Sequence, residues 1–374
     1  MAGPIRQQID LDSLAKYIDQ TVPKIKTPLD VKQFGYGQSN PTYLLTDSTG
    51  AKYVMRKKPP GKLLSKTAHQ VDREFRIISA MQNTDVPVPK AMCLCQDDSV
   101  IGTAFYIMSF LNGRIFADPS LPDVSASDRT KMWKSAVTTL AKFHRIPPKS
   151  VGMSDFGRPD NFYNRQIKTF ATLSVAQAET KDIETGKPVG KIPHYDDMVE
   201  FFRNPAYQPR DRGTFVHGDY KIDNVVFHKT EPYVIGVLDW EMATIGHPIS
   251  DIVNLTSPFA TAENDLATAA GRSNHAFAPG VTPGLPTKEQ CLKWYHEVVD
   301  FEIKPEELTW GEAFGLYRGA IICQGIAARY AVRQASSEKA RDYGVQMHPF
   351  GELGWQFVQK VKKQSDEANG KARL

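Results

Sequence analysis

The sequence predicts an α+β protein of two lobes, a small one built on an antiparallel sheet with a helix and a larger one that is mainly helical. Three observations carry that expectation. At 374 residues the chain is too long for one minimal core and suited to two. Glycine-broken, β-favouring runs crowd residues 25–110, whereas apolar residues recur every three or four positions from Asp128 onward. The change of texture falls at Asn112-Gly113, so the expected lobes are residues 1–111 and 112–374.

Taken in order, Leu11, Leu14, Ala15 and Ile18 lie at helical spacing, which predicts a short leading helix. Residues 33–40, 42–45 and 52–56 then read as a three-stranded antiparallel start, closed by Pro59-Pro60-Gly61. A helix is expected over residues 68–81, with Val71, Phe75, Ile77 and Ile78 on its apolar side. Residues 93–95 and 104–110 add two strands about an Asp97-Asp98-Ser99 turn, giving five strands and one helix. Beyond the boundary, Met132, Trp133, Ala136, Val137, Leu140, Ala141 and His144 mark a long helix. Short β pieces at 214–217, 224–227 and 233–238 follow, then helices near 288–299, 310–333 and 351–363. The glycine and proline cluster at 276–286 reads as a long mobile loop.

The 46 basic and 42 acidic residues give +4 with no block of like charge, so a nucleic-acid arm is not expected and an anionic ligand is permitted without being required. Four cysteines at spacings foreign to zinc knuckles or disulfide frameworks predict buried thiols in a reducing compartment. No stretch is apolar for long enough to span a bilayer, and Met-Ala-Gly-Pro-Ile-Arg lacks the apolar core of a signal peptide. A soluble intracellular protein without membrane partners is the expectation. The ending Ala372-Arg373-Leu374 is like the peroxisomal address Ser-Lys-Leu, which predicts an import receptor as partner and a peroxisomal location, with the cytoplasm as the alternative.

The chemistry is concentrated in Phe215-Val216-His217-Gly218-Asp219-Tyr220-Lys221-Ile222-Asp223-Asn224, followed by Val237-Leu238-Asp239-Trp240-Glu241. His-x-Asp, an Asn five positions later and a second Asp at a strand end reproduce the spacing of a kinase catalytic loop. Phosphoryl transfer needs a positioned hydroxyl and neutralised phosphate charge more than covalent help. Asp219 is accordingly the expected base, and Asn224 and Asp239 the expected oxygen ligands of Mg2+, a hard ion. Lys221, two residues past the base, can offset charge on the transferred group. Any one of these residues alone is as easily a turn or strand-end partner; their joint order decides for chemistry.

Upstream, Gly35-x-Gly37 resembles a phosphate-covering loop whose missing side chains let backbone amides approach ATP. The third glycine of the protein-kinase pattern is absent, and Ser39 and Asn40 stand there as donors to phosphate oxygens. Arg56 occupies the position of the expected strand lysine, with Lys57 and Lys58 as rivals, and Glu74 on the next helix can pair with it. The competing reading is exposed charge on a strand end and a helix face. Residues 105–111, including Met108 and Phe110, read as a hinge whose backbone meets adenine; Met108 equally suits an ordinary core. His144 is expected to brace the catalytic loop.

These residues resemble the aminoglycoside phosphotransferase and choline kinase group, the phosphotransferase enzyme family, whose loop reads His-Gly-Asp-x-x-x-x-Asn. The similarity runs from about Gln33 to Asp251. Gly37-Gln38-Ser39-Asn40-Pro41-Thr42, Arg56-Lys57-Lys58-Pro59-Pro60-Gly61 and the run from Asp239 to Pro248 look like the kinase-like region fused to certain acyl-CoA dehydrogenases. The resemblance implies a bilobal protein-kinase-like fold, ATP and Mg2+, and a small hydroxylated acceptor. Its subgroup points to a hydroxyacyl-CoA, although family does not fix substrate. No dehydrogenase region accompanies these residues, so a downstream step would fall to a separate protein. An aminoglycoside- or choline-type kinase is one alternative. Another is a non-catalytic nucleotide-binding scaffold, whose mark would be loss of Asp219, Asn224 or Asp239. A protein kinase fits poorly, because Gly246-His247-Pro248 and Asp251 follow Asp239 without an Ala-Pro-Glu segment. The acceptor is sought near Arg158, Asp160, Asn161, Tyr163 and Arg165 and on the helices beyond Trp310.

Overall fold

The computed structural model describes residues 2–6, 9–35, 40–59, 70–262, 274–335 and 340–371, with side chains to residue 367. It resolves into two compact units. The first comprises Met1–Ile115, Lys149–Met153 and Asp223–Ala243; the second comprises Phe116–Pro148, Ser154–Ile222 and Thr244–Leu374.

In the first unit, β1 (Ala2–Gly3), β2 (Asp30–Phe34), β3 (Thr42–Thr46), β4 (Lys52–Lys57), β5 (Ala91–Cys95) and β6 (Phe105–Ser109) form one antiparallel sheet in the order β1-β2-β3-β4-β6-β5. The sheet has six strands where five were expected, because Ala2 and Gly3 pair with Phe34 and Gln33. A two-residue strand carries no alternation to read. Tyr43, Leu45, Met55, Phe105 and Ile107 are buried from the sheet and share a core with Leu14 and Ile18 of α1 (Leu11–Thr21). Burying each such side chain stabilises the unit by about 1.5–3 kcal/mol. The Asp10 carboxylate caps α1 by accepting from the Ser13 amide.

The helix α2 (Val71–Met81) buries Val71, Ile77, Ile78 and Met81, and also Glu74. The expected turn after Cys95 is a four-residue helix, α3 (Asp98–Ile101), capped by Asp97 and ended by Gly102 at φ 82. A second antiparallel sheet places β9 (Val225–His228) between β7 (Gly113–Arg114) and β10 (Val234–Val237). A Cβ on Gly113 would run into the Phe227 carbonyl, so only glycine lets these strands approach.

The second unit is mainly helical. Its elements are α4 (Ala126–Arg145), α5 (Phe162–Glu179), α6 (Tyr195–Arg203), α7 (Ile249–Ala260), α8 (Lys288–His296), α9 (Pro305–Ala331), α10 (Ala340–Gly344) and α11 (Met347–Lys371), with β8 (Thr214–Val216) paired to β11 (Thr244–Gly246). Its core gathers on α9, where Trp310 stacks on Phe314 at 5.3 Å and Tyr163 meets Trp310 edge-on at 4.6 Å. The segment expected as a mobile loop is tied down: Thr130 donates to the Gly284 carbonyl at 2.7 Å, Arg129 to that of Pro283, and Phe277 is buried.

All four cysteines are buried. Burial pushes the thiols of Cys93 and Cys291 up to about 12. Among the described residues no helix is long and apolar enough to cross a membrane. The tripeptide Ala372-Arg373-Leu374 lies outside the described residues.

Candidate active site

The candidate residues divide between the two units, since the boundary passes between Ile222 and Asp223. In the first unit, β9 and β10 run antiparallel with Val225 opposite Val237. That register puts Asn224, just before β9, and Asp239, just after β10, at the same end of the hairpin. The Leu238 amide donates to the Asn224 carbonyl at 2.8 Å and closes that end. Asp239 adopts φ 63, a left-handed conformation uncommon for a residue with a side chain.

Arg56 reaches this end from β4. Its two terminal nitrogens donate to Asp239 Oδ1 at 3.3 and 3.4 Å, and Nη1 lies 3.1 Å from Glu74 Oε2. Glu241 stands 3.8 Å from Nη2. Glu74 is itself fixed: the Asn40 amide donates to Oε1 at 2.6 Å and the Tyr106 hydroxyl to Oε2 at 2.9 Å. Burial pushes the Glu74 carboxyl up and Arg56 opposes it, leaving a net rise. Burial pulls on Arg56 in the sense of deprotonation, but Tyr106, Glu74, Asp239 and Glu241 raise it well above its ordinary value. Three carboxylates about one guanidinium leave negative charge in surplus, which suits a cation. Arg56 Nε, buried, has no partner among the described residues.

Two oxygen donors, Asn224 and Asp239, match the way magnesium is commonly held, by one or two protein oxygens with phosphates and water. Of the rivals to Arg56, Lys57 is buried and its ammonium is pulled below its ordinary value by that burial. Gly35 is exposed, and a Cβ there would meet nothing within 4 Å. Gly37 and Ser39 lie outside the described residues. Met108 is buried in β6 opposite Val54, and the Phe110 amide donates to the Lys52 carbonyl at 3.3 Å, within the sheet.

In the second unit the loop after β8 carries Asp219. Asp251, wholly buried on α7, accepts from the amides of His217 at 2.6 Å and Gly218 at 2.8 Å. His144 lies 3.2 Å from the same carboxylate through Nε2, and its Nδ1 is 2.7 Å from the Tyr295 hydroxyl. Burial pushes the Asp251 carboxyl up, but the hydrogen bond and charge of His144, with His217 beside it, bring it below the ordinary carboxylate range. The loop is further held by Arg318, which donates to the Gly218 carbonyl at 3.0 Å, and by Tyr220, whose hydroxyl donates to the Ala136 carbonyl at 2.8 Å.

The Asp219 side chain remains about one-third exposed, at 35%. Asn254 donates to its Oδ1 at 3.4 Å and to the Tyr220 carbonyl at 3.1 Å, and Lys221 Nζ lies 3.4 Å from its Oδ2. The loop is thus rigid in its backbone while its carboxylate stays accessible, as a proton acceptor requires. Asp219 lines a cavity of about 300 Å³ together with Asn254 and Arg318 and with residues from α7, α9 and α11. Part of its wall, from Glu312 to Leu353, lies on the helices beyond Trp310. In the stretch from Arg158 to Arg165, Arg165 donates to the carbonyls of Arg158 and Asp160, and Tyr163 is part of the core.

Sequence spacing singled out Asp219, Lys221, Asn224 and Asp239 but not Asn254 or Arg318, and it gave Asp251 no role. The one signal for Asp251 was an acidic residue on the apolar face of α7, where a buried charge demands a partner.

Over residues 30–285 the sequence matches the Phosphotransferase enzyme family. A protein of Arabidopsis thaliana named Probable acyl-CoA dehydrogenase IBR3 is 35% identical over 362 residues, covering 94% of this chain and 43% of that protein. The chain spans about half the length of the curated relatives it matches. Among solved structures, a Ralstonia eutropha protein provisionally named an aminoglycoside phosphotransferase is 35% identical with a TM-score of 0.80, covering 94% of this chain and 99% of that one. A ternary complex of an aminoglycoside phosphotransferase with streptomycin and ATP is alike in fold, at 17% identity and a TM-score of 0.56, covering 90% of this chain and 99% of that one.

Proposed function

This chain belongs to the phosphotransferase enzyme family and has its protein-kinase-like α+β fold, and on that footing we propose that it moves the γ-phosphoryl group of ATP onto a hydroxyl of a small molecule, a hydroxyacyl-CoA. One observation carries the reading: a carboxylate, Asp219, that follows directly on the His217 and Gly218 amides pinned by a buried Asp251, while its own side chain opens onto a cavity. Asp219 takes the proton from the acceptor hydroxyl and aims its oxygen. Asn254 fixes the orientation of that carboxylate, and Lys221 offsets charge beside it. Asn224 and Asp239 would hold magnesium, which when bound with the nucleotide supplies neutralisation of phosphate charge. Arg56, set by Glu74, places a guanidinium charge beside Asp239 that favours a phosphate there.

The acyl-CoA acceptor is supported by the names of the relatives and by the apolar part of the cavity wall, which includes Val253, Leu316, Phe350 and Leu353. The test is ADP release with 3- and 4-hydroxyacyl-CoAs, choline, ethanolamine and aminoglycosides as acceptors. Turnover with a hydroxyacyl-CoA is expected. Asp219→Asn should lower it by about 10²–10⁴-fold while ATP binding persists; preference for the cationic amines would remove the acyl-CoA reading.

A further inference from the structure

We propose that Glu312 reads the acceptor, accepting a hydrogen bond from an N–H or O–H that an apolar stretch separates from the reacting hydroxyl. This deepens the phosphotransfer reading above and rests on it. Glu312 lies on α9, is 2% exposed and lines the same cavity as Asp219. Its Oε1 receives Lys288 Nζ at 2.7 Å, whereas its Oε2 has no partner among the described residues. A buried carboxylate oxygen without a donor is costly, and a ligand that supplies the donor recovers that cost on binding.

The distance between the two ends follows from the helix. Arg318, on the same helix, holds the Gly218 carbonyl next to Asp219. Six residues separate Glu312 from Arg318, or about 9 Å along the axis. The wall near them is apolar, formed by Val253, Leu316 and Phe350, and Ile322, which also lines the cavity, is 49% exposed. A short hydrocarbon segment fits such a wall. Glu312 is already paired with Lys288, so a single neutral donor suits it better than the several ammonium groups of a polyamine. The amide N–H groups on the pantetheine arm of a hydroxyacyl-CoA are donors of this kind. The corresponding hydroxy acid, without its thioester arm, has none.

The experiment compares KM for a hydroxyacyl-CoA, for the hydroxy acid of the same chain and for ATP, in the unaltered protein, Glu312→Gln and Ile322→Asp. Glutamine can still accept from Lys288 but turns an amide N–H toward the ligand donor. Glu312→Gln should raise KM for the hydroxyacyl-CoA by about tenfold or more, with kcat and the KM for ATP within about twofold. The hydroxy acid should gain nothing from Glu312 and be insensitive to that change. Ile322→Asp, at an exposed position where folding is not at risk, should raise KM more for longer chains. Turnover with an unchanged acceptor KM in both variants overturns the role of Glu312 and leaves phosphotransfer standing. A lack of ADP release from the unaltered protein with every acceptor overturns both.

Discussion

His247 shows how one residue ties stability to pH. It is fully buried; the Ile249 amide donates to its Nδ1 at 3.3 Å, which leaves Nε2 to carry the proton toward the Arg210 carbonyl at 3.0 Å. Burial pulls its pKa from 6.5 to about 4, only partly opposed by the Arg210 carbonyl. The folded ring therefore resists a proton that the unfolded ring accepts. Its contribution is present above pH 6.5 and is lost as pH falls toward about 4. Urea midpoints should decline across that interval, and His247→Gln should flatten the decline; an equally steep slope in the variant would refute the assignment. Asp251 acts in the same direction at lower pH, because its folded carboxyl lies below the ordinary range. At this scale the sequence was legible wherever chemistry is local. Asp219 and Asn224 sit five positions apart, but Arg318 meets Gly218 across 100 residues and no spacing announces it.

At the scale of elements, α7 and α9 pack so closely that a Cβ on Gly311 would collide with the Cγ2 of Ile249. On an exposed helix, alanine for glycine gains about 1 kcal/mol. Here the stiff, branched Ile249 cannot yield, and overpacking costs about 1–3 kcal/mol. Gly311→Ala should accordingly lower the melting temperature by several degrees in a thermal scan, and a rise would show that the crossing has slack. The β runs of the first unit were readable because alternation survives in five-residue strands such as Thr42–Thr46. The turn at Asp98 was not, since four residues of helix leave no period and only the Asp97 cap to see.

For the whole molecule, the chain leaves the first unit and comes back to it. Asp223–Ala243 returns with Asn224, Asp239 and the buried Trp240, and β9 pairs with β7 near the end of the first segment. A composition shift at Asn112-Gly113 cannot reveal such a return, because the β texture of residues 225–237 comes back only after the long helical stretch of α4, α5 and α6. A fragment ending at Ile115 should lack a fixed fold and give a poorly dispersed amide NMR spectrum; sharp, dispersed signals would contradict this. The four buried cysteines, two of them with thiols lifted to about 12, carry a practical consequence. Maleimide chemistry on the native protein meets almost no thiolate background, so one cysteine introduced at Ile322 would carry a fluorophore at the cavity, and its emission would report acceptor entry in real time.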